Sequence, residues 1–155
     1  MERRELLSLG GIAAIAGVVA ASAEEKGQAK RVLRIYAGAD GNSHVEELPI
    51  ATKEGRIRRT ESAAVTGFTY ADYPASSVED WHRTPGRQFS ISLSGEIEVE
   101  VSDGKKHAIH PGDIVFLEDL QGKGHITRIL TPVTNIFVRV ADNFDVVAWS
   151  RGTTA

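Results

Sequence analysis

Residues Trp81–Val101 read WHRTPGRQFSISLSGEIEVEV. From Gln88 onward the run alternates: Phe89, Ile91 and Leu93 fall between Gln88, Ser90, Ser92 and Ser94. After Gly95 the alternation resumes, with Ile97, Val99 and Val101 set against Glu96, Glu98 and Glu100. Successive side chains of a strand point to opposite faces, so this pattern predicts β-structure with one buried and one wet face, turning at Gly95. If Gln88 points inward, Ser90 and Ser92 do so too. Small polar side chains would then line a wet cavity, and Phe89, Ile91 and Leu93 would have to bury elsewhere. The opposite assignment puts the apolar face inside and Gln88 outside.

The same signal recurs on both sides. Val32 to Ala37 and Val45 to Leu48 flank Asp40-Gly41 and predict a hairpin. Thr52 to Ala64 is charged and aperiodic, which predicts a loop or a short edge strand, and Val65 to Tyr70 predicts a strand that Tyr73-Pro74-Ala75 ends. Asp103-Gly104 is a strong hairpin signal, and Pro111-Gly112-Asp113 is a further turn before the apolar run Ile114 to Leu117. His125 to Leu130 and Asn135 to Val140 read as strands separated by Thr131-Pro132. Val146 to Trp149 reads as a short closing strand or helix. Many short strands with turns between them predict an all-β sandwich or barrel. No solenoid or propeller repeat is present.

Bulk properties narrow the function classes. A length of 155 residues suits one domain. A net charge of -3 offers no concentrated basic surface for nucleic acid or an anionic membrane, and Arg56, Arg58 and Arg59 are flanked by Glu54 and Glu61. With no cysteine, disulfides, thiolate metal sites and cysteine nucleophiles are excluded. There is no nucleophile elbow, P-loop or dinucleotide fingerprint.

Residues 1–23 read as an export signal. Arg3-Arg4 precedes the mild apolar stretch Leu6 to Val19, and Ala21-Ser22-Ala23 supplies a small-x-small cleavage pattern. Arg3-Arg4 followed by Glu5-Leu6-Leu7 partly resembles the twin-arginine motif; a Sec signal or an uncleaved anchor are the alternatives. The expectation is an exported protein, periplasmic or extracellular, without stable membrane association after cleavage. Residues 24–31 would be a flexible leader and residues 32–150 one domain.

Between Val65 and Val140 the chain resembles the cupin superfamily. In the first cupin motif two histidines one residue apart are followed by a Glu and then a hairpin Gly. Here these positions hold His82, Thr84, Gln88 and Gly95. Pro111-Gly112-Asp113 resembles the turn between the motifs. The second motif, Pro-x-Gly-x-x-His, falls on Leu120-Gln121-Gly122-Lys123-Gly124-His125, and its later Asn falls on Ile129. The chain is most similar to small single-domain bacterial cupins with WHxxPxRQ and GKGH motifs. The resemblance implies a double-stranded β-helix, or jelly-roll barrel.

It also implies a site. Cupin metal centres use three His and one Glu to hold iron, manganese, nickel or zinc. This sequence keeps His82 and His125. Gln88 is a neutral and weaker donor, and Thr84 is a poor ligand. The implied set His82, Gln88 and His125 either holds one divalent metal (Fe, Mn, Ni or Zn) or forms a metal-free polar cluster. Thr84, Ser90, Ser92 and Thr127 would line the pocket. Trp81 would sit at its rim or in a core or dimer interface, and Arg87 at its mouth, where it could pair with an anionic group. His44, His107 and His110 lie beside turns and are expected at the surface. Three functions follow as candidates. The first is binding of a small organic molecule beside a degenerate metal site; the second, a metal-dependent oxygenase, isomerase or lyase acting on a small organic acid, with His82 or His125 as acid/base if metal-free; the third, a structural domain without ligand. Exposed strand edges and family habit suggest a homodimer.

Overall fold

The computed structural model describes residues 30–153; the expected export signal at 1–23 and most of the expected leader at 24–31 lie outside them. Arg31, placed in the expected leader, belongs to the first strand. The described chain runs β1 (Arg31–Ala37), β2 (Ser43–Pro49), β3 (Val65–Tyr73), β4 (Val78–His82), β5 (Gln88–Ser94), β6 (Ile97–Val101), β7 (Lys106–Ile109), β8 (Ile114–Glu118), β9 (His125–Ile129), β10 (Val133–Val140) and the helix α1 (Val146–Ser150). The strands form a six-stranded sheet, β2-β1-β8-β5-β10-β3, and a four-stranded sheet, β4-β9-β6-β7. All pairings are antiparallel except β1 with β8. This is the expected all-β jelly roll.

The turn at Gly95 carries the chain from one sheet to the other, and there the alternation changes phase. In β5 the inward residues are Gln88, Ser90 and Ser92; in β6 they are Ile97, Val99 and Val101. The interior cluster is built from Leu33, Ile35, Ile97, Val99, Val101, Ile109, Val115, Leu117, Ile129 and Val133. Glu98 and Glu100 face out and pair with Lys106 and Arg128.

Phe89, displaced from the interior by that phase, packs on the outer face of the larger sheet. Its neighbours there are Val32, Leu48, Phe116, Val140, Val146 and Trp149. The rings of Phe116 and Trp149 lie 4.9 and 5.2 Å from that of Phe89, both edge-on. Helix α1 supplies Val146 and Trp149, so a five-residue helix serves as the cover of this second core. Five residues are too few to be helical alone. Asp145 caps the start, its carboxylate accepting from Ala148 N at 2.9 Å, and the packing of Trp149 does the rest. The Trp149 indole N–H donates to Glu61 O at 2.8 Å, which pins the irregular 52–64 segment. Ile91 is half-buried and Leu93 is 49% exposed, so only the first member of the outward apolar series is covered.

At one end of the barrel the β1–β2 turn meets the β6–β7 turn through His44. Its Nε2 lies 3.0 Å from Asp40 Oδ1 and its Nδ1 lies 3.1 Å from Asp103 Oδ2. Asp103 also receives Lys105 Nζ at 3.1 Å, and the Tyr36 ring stands 5.8 Å from the imidazole. Asp40, and after it Asp103, raise the His44 pKa above its ordinary 6.5. The His44 hydrogen bond, followed by those from Asn42, holds Asp40 down at about 2. A histidine raised in the folded state stabilises fully below its unfolded pKa, and the gain is lost as pH rises through the folded value. The wild-type melting temperature should therefore fall relative to His44→Gln by roughly 2–4 °C between pH 6 and pH 8.5, small because the cluster is partly exposed. Parallel pH profiles for the two proteins would refute the clamp.

Candidate functional site

Between the two sheets lies a cavity of about 320 Å³. Strand register arranges its wall. His82 of β4 is paired with His125 of β9, and Glu79 with Thr127. Across β9, Val99 pairs with Thr127 and Val101 with His125. In the larger sheet Gln88 pairs with Leu117, and Ser90 lies between Val115 and Phe137. One end of the cavity thus carries His82, Thr84, Gln88 and His125, while the other is closed by Ile97, Ile109 and Ile129. Thr69, Tyr73, Glu79 and His82 come from the edge strands β3 and β4 and line the open side.

Half of the lining residues are aliphatic or aromatic, so the expected polar cavity has a substantial apolar wall. Ser90 and Thr127 do line it. Ser92 is inward and 1% exposed but lies off the cavity wall, its Oγ without a protein partner. The β6 and β8 residues facing the serines are Val, Ile and Leu, because those strands present their apolar phase to the same interior.

The two imidazoles are held in different ways with the same result. Their ring centroids are 4.4 Å apart. His82 Nδ1 lies 2.8 Å from Asp80 O, a carbonyl that can only accept, so Nδ1 carries the proton. His125 Nδ1 lies 2.6 Å from Asp119 Oδ2. Asp119 has 0% exposure, and its carboxylate also accepts from Ser43 Oγ at 3.0 Å and from Thr84 Oγ1. Three donors converging on one carboxylate assign Nδ1–H to His125 as well. Each histidine therefore has its Nε2 free of any protein partner.

Asp119 was not anticipated from the sequence. It follows the apolar run of β8 as half of the pair Glu118-Asp119, and nothing in the local pattern separates the two. The structure does: Glu118 turns to the outer side and Asp119 to the inner. Asn135 was also missed, although period two places it on one face with Val133 and Phe137. Its Nδ2 donates to Ser90 Oγ at 2.9 Å, and its Oδ1 is buried without a protein partner.

Two predicted site residues stand apart from the cavity. Arg87 precedes Gln88 and so points to the opposite side, where its Nε donates to Glu118 Oε2 at 2.9 Å. Glu118 also receives Arg34, so both guanidinium groups are occupied outside the barrel. Trp81 precedes His82 and is turned away for the same reason; Lys123 Nζ sits 3.8 Å above its ring. Arg128 pairs with Glu98 and Glu100, and none of His44, His107 and His110 lines the cavity.

The donor set bears on metal binding. Thr84, at the second-histidine position, is committed to Asp119. Among the described residues no group of three or more His, Cys, Asp or Glu is placed to hold an ion. His82, His125 and Gln88 would offer two neutral imidazoles and one neutral amide in a largely apolar wall. Without a carboxylate in direct reach, these residues do not fit a tightly held resident divalent metal.

Residues 69–132 match the family model described as the cupin domain. The protein carries a cupin domain. The match begins inside β3 and ends just before β10, so it contains both histidines, Asp119 and the Gly95 turn. A curated relative, Oryzines biosynthesis cluster protein J of Aspergillus oryzae, is 34% identical over 59 residues, 38% of this chain. The chain spans only 31% of that protein's length. Among solved structures, the cupin domain is similar to a cupin-2 domain containing protein from Shewanella frigidimarina (12% identity, TM-score 0.39, 55% of this chain and 85% of the other). It is also similar to the DMSP lyase DddQ from Ruegeria pomeroyi (22% identity, TM-score 0.42, 51% of this chain and 40% of the other). Neither structure lends its activity to this chain.

Proposed function

We propose that this cupin domain binds a small organic molecule in the barrel cavity, with the ligand's polar group against His82 and His125 and its apolar body against Val99, Val115 and Ile129. The observation that carries this reading is the pair of imidazoles anchored through Nδ1, each with Nε2 unspent beside the cavity. The cavity's 320 Å³ lies at the lower end of small-molecule pockets. The unpartnered Asn135 Oδ1 adds a third acceptor. A buried acceptor left without a donor costs about 1–3 kcal/mol, which a ligand or water supplying that donor would recover.

A second reading is favoured by Asp119. A buried carboxylate on Nδ1 holds an imidazole in the tautomer that can take a proton at Nε2 and stabilises the cation that forms. The bound molecule would then be a substrate for metal-free proton transfer, with His125 as base and Asp119 as its positioning residue.

Metal analysis and thermal melting of protein purified without a histidine tag separate these readings from a metal enzyme. The expected result is metal well below one equivalent and a melting temperature unchanged by chelator. Stoichiometric iron, manganese, nickel or zinc that is lost in His125→Ala would overturn the metal-free reading and support the metal-dependent enzyme.

A further inference from the structure

The charges around the cavity are one-sided, and this points to a ligand class. Among the described residues no Lys or Arg side chain lines the cavity. Three basic groups close in sequence to the site are turned elsewhere: Arg87 to Glu118, Arg128 to Glu98 and Glu100, and Lys123 over Trp81; Arg83, between His82 and Thr84, is exposed and off the wall. The one ionisable acid on the wall is Glu79, at the open side, inward because it is in register with Thr127. Tyr73 shares that side. Its phenol is pushed up by burial and, second, by the charge of Glu79, which places the carboxylate and the ring in one neighbourhood. Asp119 adds a second acid one layer behind Thr84 and His125.

The wall's polar atoms have the same bias. Asn135 Oδ1 is an acceptor without a donor, and Nε2 of His82 and of His125 accepts wherever the imidazole is neutral. A carboxylate entering here would lose its water, meet no lysine or arginine on the wall and face Glu79, a combination that disfavours binding. An ammonium group would find the Glu79 carboxylate, the face of Tyr73 and a choice of acceptors, with the aliphatic end left for its carbon skeleton.

We propose that the cavity takes a small organic amine in its cationic form, with Glu79 reading the charge, and rejects organic acids. This rests on the cavity-binding reading above and replaces the expectation of an organic acid substrate.

The test uses the described protein at pH 7 with three probes of one shape: benzylamine, benzyl alcohol and benzoate. Calorimetry and thermal melting should give the tightest binding for benzylamine, binding about tenfold weaker for benzyl alcohol, and no detectable binding for benzoate. In Glu79→Gln, a substitution on an exposed edge-strand residue, benzylamine should weaken about tenfold while benzyl alcohol is unchanged. Benzoate binding as tightly as benzylamine, benzyl alcohol equalling the amine, or Glu79→Gln weakening amine and alcohol alike would each overturn the amine proposal while leaving cavity binding intact. Failure of all three probes would overturn the cavity-binding reading together with the amine proposal.

Discussion

Asp119→Ala should lower the stability of the domain by about 3–5 kcal/mol, a fall of roughly 10–20 °C in melting temperature for a chain of this size. The carboxylate is fully buried and accepts from Ser43 Oγ, Thr84 Oγ1 and His125 Nδ1. These donors belong to β2, the segment after β4, and β9, so one side chain joins three parts of the barrel end. Removing it strands all three donors where water cannot readily reach them, and the cost of unmade buried hydrogen bonds exceeds the net value of made ones. Asp119→Asn keeps the shape and one acceptor but turns an amide N–H₂ toward a donor, so a loss of about 1–3 kcal/mol is expected. The histidine should respond as well. In wild type, ring-nitrogen NMR should find His125 protonated at Nδ1; in Asp119→Ala that preference should disappear while His82, anchored on Asp80 O, keeps its own. A melting temperature for Asp119→Ala within 3 °C of wild type, or an unchanged His125 tautomer, would show that Asp119 does not hold the site.

Gly124→Ala should be nearly as damaging, for a reason of space. Gly124 has φ +81°, and a Cβ there would stand 1.9 Å from His82 O and 2.5 Å from His82 C. Those are backbone atoms and cannot swing aside, so β4 must move away from β9 and take His82 from His125. Gly104 offers the control: its φ is +91° but nothing lies within 4 Å of an added Cβ. Gly104→Ala should therefore cost only the left-handed backbone strain, about 1–2 kcal/mol, and Gly124→Ala about 3 kcal/mol or more. Amide exchange should localise the difference to β4 and the start of β9. Equal melting temperatures for the two variants would mean that the close approach of Gly124 to His82 is not a constraint.

Most of the strands were legible because each carries its own signal; β4, Val78–His82, was not anticipated. Alternation in 88–101, Asp103-Gly104, Pro111-Gly112-Asp113 and Thr131-Pro132 are local features, and local sterics act on them wherever the chain goes. The cavity residues His82, Thr84, Gln88, Ser90, His125 and Thr127 were reached by motif and by period two. The same period, applied one residue earlier, also turns Trp81 and Arg87 away from the cavity, and their partners Lys123 and Glu118 lie far along the chain.

By itself the sequence determined that the chain is all-β and where it turns, since each of these follows from the chemistry of a few neighbouring residues; the choice of His82 and His125 came from the resemblance to the cupin motifs. Only the tertiary structure decided what those histidines are. The change of phase across Gly95 set an apolar wall opposite the serines. The pairing of β4 with β9 brought two imidazoles to 4.4 Å, and the end of β8 delivered Asp119 behind one of them. The charge of the cavity is likewise a tertiary property. Chain proximity put Arg87 and Arg128 close to the motifs, and carboxylates on other strands took them away, leaving Glu79 to face the opening.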